Sequence, residues 1–129
     1  MTTPLNPGAR ALAAAFAVSG TIHLVRPGVF EPIIPAPLRA WDTELVVLSG
    51  VAELLCAGGL ALPATRRAAA VGSVALLMAV LPANAQMALD RTRRARRRPT
   101  PARVAVAAAT WVRLPLQWPM VRAAARAGA

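Results

Sequence analysis

A chain of 129 residues, 57% hydrophobic and only 16% charged, is a single domain of the membrane class rather than a soluble globule. Its one Cys excludes an intramolecular disulfide, a CxxC relay and a thiolate cluster, and its one His excludes bis-His haem ligation and a His-rich metal centre. A net charge of +10 would suggest nucleic acid in a soluble protein, but most of these arginines fall between apolar runs. There basic residues orient membrane proteins and meet anionic lipid.

The first apolar run covers residues 8–25, after a short polar leader, Met1 to Pro7, and ends at the breaker sequence Arg26-Pro27-Gly28. A single Arg at its start, Arg10, and His23 near its end argue against a cleaved signal peptide. Residues 26–44 hold Pro27, Pro32, Pro35 and Pro37 beside Val29, Phe30, Ile33, Ile34, Leu38 and Trp41. So many prolines exclude a helix interior, and so apolar a connection belongs at the lipid–water boundary or folded over the bundle mouth.

The second run, residues 45–63, is about the length of a bilayer-spanning helix, roughly 20 residues, with Glu53 near its middle. A carboxylate at the centre of a span costs about 3 kcal/mol on insertion scales, and each Leu or Val returns about 0.3–0.6 kcal/mol. The run therefore inserts, and it carries a group that needs a partner. After a tight turn at Ala64-Thr65-Arg66-Arg67, the third run covers residues 68–89, with Pro82, Asn84 and Gln86 toward its end. Residues 90–101 form a basic connector with six arginines from Arg91 to Arg98. The fourth run, residues 102–121, is the least apolar, because Arg113 lies inside it and Pro115, Gln117 and Pro119 follow. It needs partners already in the membrane, which is the reason to pair Arg113 with Glu53.

Four spans with short connections make an all-α, integral membrane, up-and-down four-helix bundle. At about 1.5 Å per residue, His23, Glu53, Asn84, Gln86 and Arg113 then all lie in the half nearer the first and third connectors. Stepping by four places Ser19 and His23 beyond Ala11 and Ala15, Glu53 between Ser49 and Ala57, and Arg113 and Gln117 beyond Ala105 and Ala109. Small residues line helix contacts in membranes, so these stripes would face the interior. On the third helix the stripe Ala68, Gly72, Ala75, Ala79, Ala83 continues to Gln86, and Asn84 joins it only if Pro82 turns the helix. The expected site is a Glu53–Arg113 ion pair extended by His23, Asn84 and Gln117; the competing reading is a structural cluster that fixes register and binds nothing. Cys56, Trp111 and Trp118 read as packing or belt residues.

These residues resemble the DoxX-like family of small four-helix bacterial membrane proteins. The shared patterns are Gly20-x-x-His23 with Pro27-x-x-Phe30, Ile34-Pro35, and Leu48-Ser49-Gly50-x-x-Glu53. They continue with Leu62-Pro63-x-Thr65-Arg66-Arg67, Leu81-Pro82-Ala83-Asn84-x-x-Met87-Ala88 and Arg113-Leu114-Pro115-Leu116-Gln117. The resemblance implies a multi-pass protein of the bacterial cytoplasmic (inner) membrane, associated with quinone-linked redox systems. The Arg run between helices three and four is denser than that pattern. Nine arginines fall on the side of the first and third connectors and five on the other, which favours termini outside the cytoplasm, although the Arg66-Arg67 turn opposes this.

Two functions compete. The first is an accessory or structural subunit of a membrane complex, with no resident cofactor but with a quinone contact at the polar cluster. The second is a small proton-coupled transporter using Glu53, which one four-helix chain could form only as a homo-oligomer. An arginine partner would argue against transport, because it keeps a carboxylate charged. Nucleic acid is not an expected partner: no aromatic residue interleaves the Arg run and apolar segments flank it. No nucleophile–base pair, metal-ligand spacing or phosphate loop points to a stand-alone enzyme.

Overall fold

A computed structural model describes residues 3–31, 34 and 36–129 as an all-α chain with four long helices and, among the described residues, no strand. The expected leader residues Met1 and Thr2, and Pro32, Ile33 and Pro35 of the expected connection, lie outside the described residues. Helix α1 spans Pro7–Val25, α2 Asp42–Ala61, α3 Arg66–Arg97 and α4 Pro101–Ala127.

Local chemistry sets the ends of these helices. Asn6 and Thr100 each precede a proline in the first helical position, and their side-chain oxygens accept the backbone N–H groups of Ala9 and Arg103 at 2.8 and 3.2 Å. Such capping supplies orphan donors that the first turn cannot satisfy itself. Between α1 and α2 the chain makes short 3₁₀ turns at Pro27–Val29 and Ala36–Trp41, as the prolines require. At the α2–α3 turn, Thr65 Oγ1 donates to the Gly59 carbonyl and Arg66 Nε to the Leu60 carbonyl, both at 3.0 Å. These bonds satisfy the C-terminal carbonyls of α2.

The residues expected to form a connector at 90–101 are largely helical. Helix α3 continues to Arg97, and only Arg98-Pro99-Thr100 joins it to α4. Arginine is a good helix former, and no Gly or Pro intervenes between Pro82 and Pro99. The charge marks where the apolar sequence ends, and the helix runs past that point. Helix α4 likewise continues beyond Val121 to Ala127 through an alanine-rich tail.

The helices pack as two hairpins, α1 on α2 and α3 on α4, joined along a less extensive α2–α3 seam. Leu12, Phe16, Cys56, Leu60, Leu77 and Ala124 belong to one buried apolar cluster at the end holding the α2–α3 turn. His23, Glu53, Asn84, Thr110 and Gln117 are the buried polar groups toward the opposite end, while Ser73 donates back to its own helix at Ala69. Three helical stretches, Pro7–Val25, Ala36–Ala61 and Arg66–Arg97, are long and apolar enough to cross a membrane. Helix α4 is long enough but is diluted by Arg113, Pro115, Gln117 and Pro119.

Candidate functional site

Glycine brings the first group of polar side chains together. Gly20 and Gly50 lie where α1 crosses α2: a Cβ on Gly20 would sit 2.8 Å from the Gly50 carbonyl oxygen. One on Gly50 would sit 2.6 Å from the Cβ of His23. Only two residues without side chains let the backbones approach this closely. His23 and Glu53 each follow one of these glycines by three residues, so each is carried onto the shared face one turn further along.

There Ser19 Oγ donates to Glu53 Oε1 at 3.1 Å. His23 Nδ1 is 2.6 Å from the carbonyl oxygen of Ser19 and 3.3 Å from its hydroxyl. A carbonyl only accepts, so Nδ1 carries a proton and donates it one turn back along α1. Glu53 Oε2 lies 3.1 Å from the same nitrogen, within ion-pair distance, but the N–H is turned to Ser19. As a result Oε2 is buried without a hydrogen bond. Phe30, from the turn after α1, stacks on the imidazole with ring centroids 3.8 Å apart and planes within 9°. His23 and Glu53 are each only 8% exposed. A buried carboxylate oxygen lacking a donor, beside an imidazole whose proton has two possible acceptors, is a place where a proton can move.

A second group closes α3 on α4. Asn84 Nδ2 donates to Gln117 Oε1 at 3.0 Å, and Gln117 Nε2 donates to the carbonyl of Leu77. Pro82 has no N–H to offer the Met78 carbonyl one turn back, and the side chain from α4 bonds the adjoining carbonyl, that of Leu77. Both amides are 6% exposed. Gln86 instead bonds Asp90 on its own helix at 3.0 Å.

The expected ion pair is not formed. Among the described residues Glu53 meets His23, the other salt bridge is Arg93 to Asp90, and Arg113 has no carboxylate within 4.0 Å. Arg113 is exposed. The reason is rotational. Four residues advance an ideal helix by about 400°, so each step of four drifts about 40° from the face it started on. The buried line on α4 alternates threes and fours, through Ala107, Thr110, Leu114 and Gln117, and leaves Arg113 to one side. The same drift leaves Ala11, Ala15, Ala105 and Ala109 exposed, and it places Asn84 on the buried face of α3 without help from Pro82.

Of the five residues expected in one cluster, the structure buries His23, Glu53, Asn84 and Gln117, in two groups, one per hairpin. No hydrogen bond joins the groups among the described residues. Ser19, Phe30 and the Leu77 carbonyl complete them. Of these, Ser19 was readable one step of four before His23, and the Leu77 carbonyl had no signal in the sequence. No three His, Cys, Asp or Glu side chains converge among the described residues.

No curated protein and no solved structure matches this chain. A family model does match, over residues 12–128, which takes in all four helices and both polar groups. The chain belongs to that family, described as Domain of unknown function (DUF8561).

Proposed function

We propose that this protein is an integral membrane subunit, an up-and-down bundle of four spans in the bacterial inner membrane, accessory to a larger complex. Its His23–Glu53–Ser19 group would exchange protons with an amphipathic ligand of the quinone class. The observation that carries this reading is Glu53 Oε2, buried and undonated beside His23. A quinol hydroxyl could donate to it, as the imidazole on its present tautomer does not.

Membrane placement draws on the three apolar helices and on large side chains left exposed along them, among them Val25, Leu48, Leu55, Val71 and Met78. In water such surface would be a liability, and in lipid it is the expected outer face. Helix α4 enters beside α3, held by the Asn84–Gln117 bond. Trp111 Nε1 donates to Thr92 Oγ1 at 2.8 Å, level with the start of the charged end of α3, where an indole suits the lipid boundary. The DoxX-like resemblance adds the association with quinone-linked oxidoreductases.

The test is a mild-detergent pull-down with mass spectrometry of the co-purifying proteins and quinones, comparing the native chain with Glu53→Gln. Retention of membrane subunits by both, with quinone lost from the variant, is the expected result. Recovery of neither subunit nor quinone overturns the reading. A second reading, an oligomeric proton-coupled transporter, gains from one observation: Glu53 has no arginine partner of the kind that would argue against it. Flux in liposomes that depends on pH and vanishes in Glu53→Gln would favour it.

A further inference from the structure

The charged end of the α3–α4 hairpin is more than a solvated collar. Helix α3 is 32 residues long, about 48 Å at 1.5 Å per residue, against about 30 Å of hydrocarbon in a bilayer. Its last turns stand clear of any apolar layer. Between them and the start of α4 lies a cleft of about 520 Å³, lined by Arg91, Arg94, Arg97, Arg98 and Arg103, with Val106 on its wall. No carboxylate lines it. Asp90, the one acidic residue of α3, is bound to Gln86 at 3.0 Å and faces Arg93 at 3.7 Å, and neither of those residues lines the cleft.

Five guanidinium groups around one cavity repel one another, and the positive end of the 27-residue helix α4 adds to the field. Arg103 is held across the mouth, its Nη1 donating to the Arg98 carbonyl at 2.9 Å. The arrangement uses part of the Arg run only. Arg93 and Arg96 belong to the same turns and do not line the cleft.

We infer that this cleft binds a phosphate-bearing anion. Guanidinium pairs match phosphate oxygens in two-point geometry, and Ala102 and Val106 give the apolar edge that a glycerophosphate would lie against. The phosphate can come from an anionic lipid headgroup or from a soluble polyphosphate. The lipid source rests on the membrane reading above, and the cleft itself does not.

The experiment compares two variants of equal charge in the full chain. Arg94→Gln with Arg103→Gln removes two cleft residues, and Arg93→Gln with Arg96→Gln removes two neighbours outside it. Each protein is reconstituted in phosphatidylcholine nanodiscs, and binding of added cardiolipin is measured. Each is also titrated with pyrophosphate in detergent micelles. Diffuse attraction is worth about 1 kcal/mol per arginine, about fivefold, wherever the arginine lies near the surface. The cleft predicts that the first variant loses about tenfold more affinity than the second for at least one of the two probes. Cardiolipin loss with pyrophosphate unaffected identifies the headgroup as the source, and the reverse identifies a soluble anion. Equal losses in both variants, or no saturable binding of either probe, overturn the site. The micelle arm needs no bilayer, so a chain that a carbonate wash strips from membranes would sink the membrane reading while leaving the cleft tested.

Discussion

The two ends of the bundle are held by different physics. At one end Leu12, Phe16, Cys56, Leu60 and Leu77 meet through shape alone, and a neighbouring methyl group can shift to accommodate a change. At the other, Ser19, His23 and Glu53, and separately Asn84 and Gln117, meet through bonds with fixed partners and directions. A slip of one helix by a residue would cost the first end some contact, and would leave the second with orphaned polar atoms. The apolar end supplies cohesion and the polar end supplies register.

That contrast can be broken at its most rigid point. Gly50→Leu forces a side chain into the 2.6 Å gap beside His23 and should separate α1 from α2, costing about 3 kcal/mol in a detergent unfolding titration. Phe16→Ala tests the apolar end. On the proposed placement in lipid the cavity loses packing but little transfer energy, so the expected loss is about 2 kcal/mol, below the roughly 3–5 kcal/mol of an aqueous core. Gln117→Leu keeps volume but strips Asn84 and the Leu77 carbonyl of their partner, with an expected loss of about 1–2 kcal/mol. If Gln117→Leu proves neutral, the register argument fails for α3 and α4. The smallest effect is expected from the cycle of Glu53→Gln with Arg113→Gln. Their coupling should stay below about 0.5 kcal/mol, since the two side chains do not touch. A larger coupling would restore the ion pair that the sequence suggested.

Position along each helix was readable from the sequence, and position around it was not. Counting residues from the breakers placed His23, Glu53, Asn84 and Gln117 in one half of the bundle, because rise per residue accumulates little error over a span. Azimuth accumulates about 40° with each step of four, so the line Ala105, Ala109, Arg113 lies on the exposed side and reaches the buried face only at Gln117. In a chain this rich in alanine, small-residue stripes occur on every face and cannot correct that drift. The fixed points were the glycines, Gly20 and Gly50, whose missing side chains mark where two backbones touch. The continuation of α3 through its arginines was also legible in principle, since no helix-breaking residue lies between Pro82 and Pro99.

The separation of polar bonds by hairpin has a consequence for how such a chain could arise and be assembled. Ser19, His23 and Glu53 meet within the first two helices, and Asn84, Gln117 and the Leu77 carbonyl bond one another within the last two. Each half is chemically closed toward the other, so a cut in the loop at Leu62–Thr65 would orphan none of these groups. Fragments ending and starting there could be made by separate ribosomes and still find each other through the apolar cluster that all four helices share.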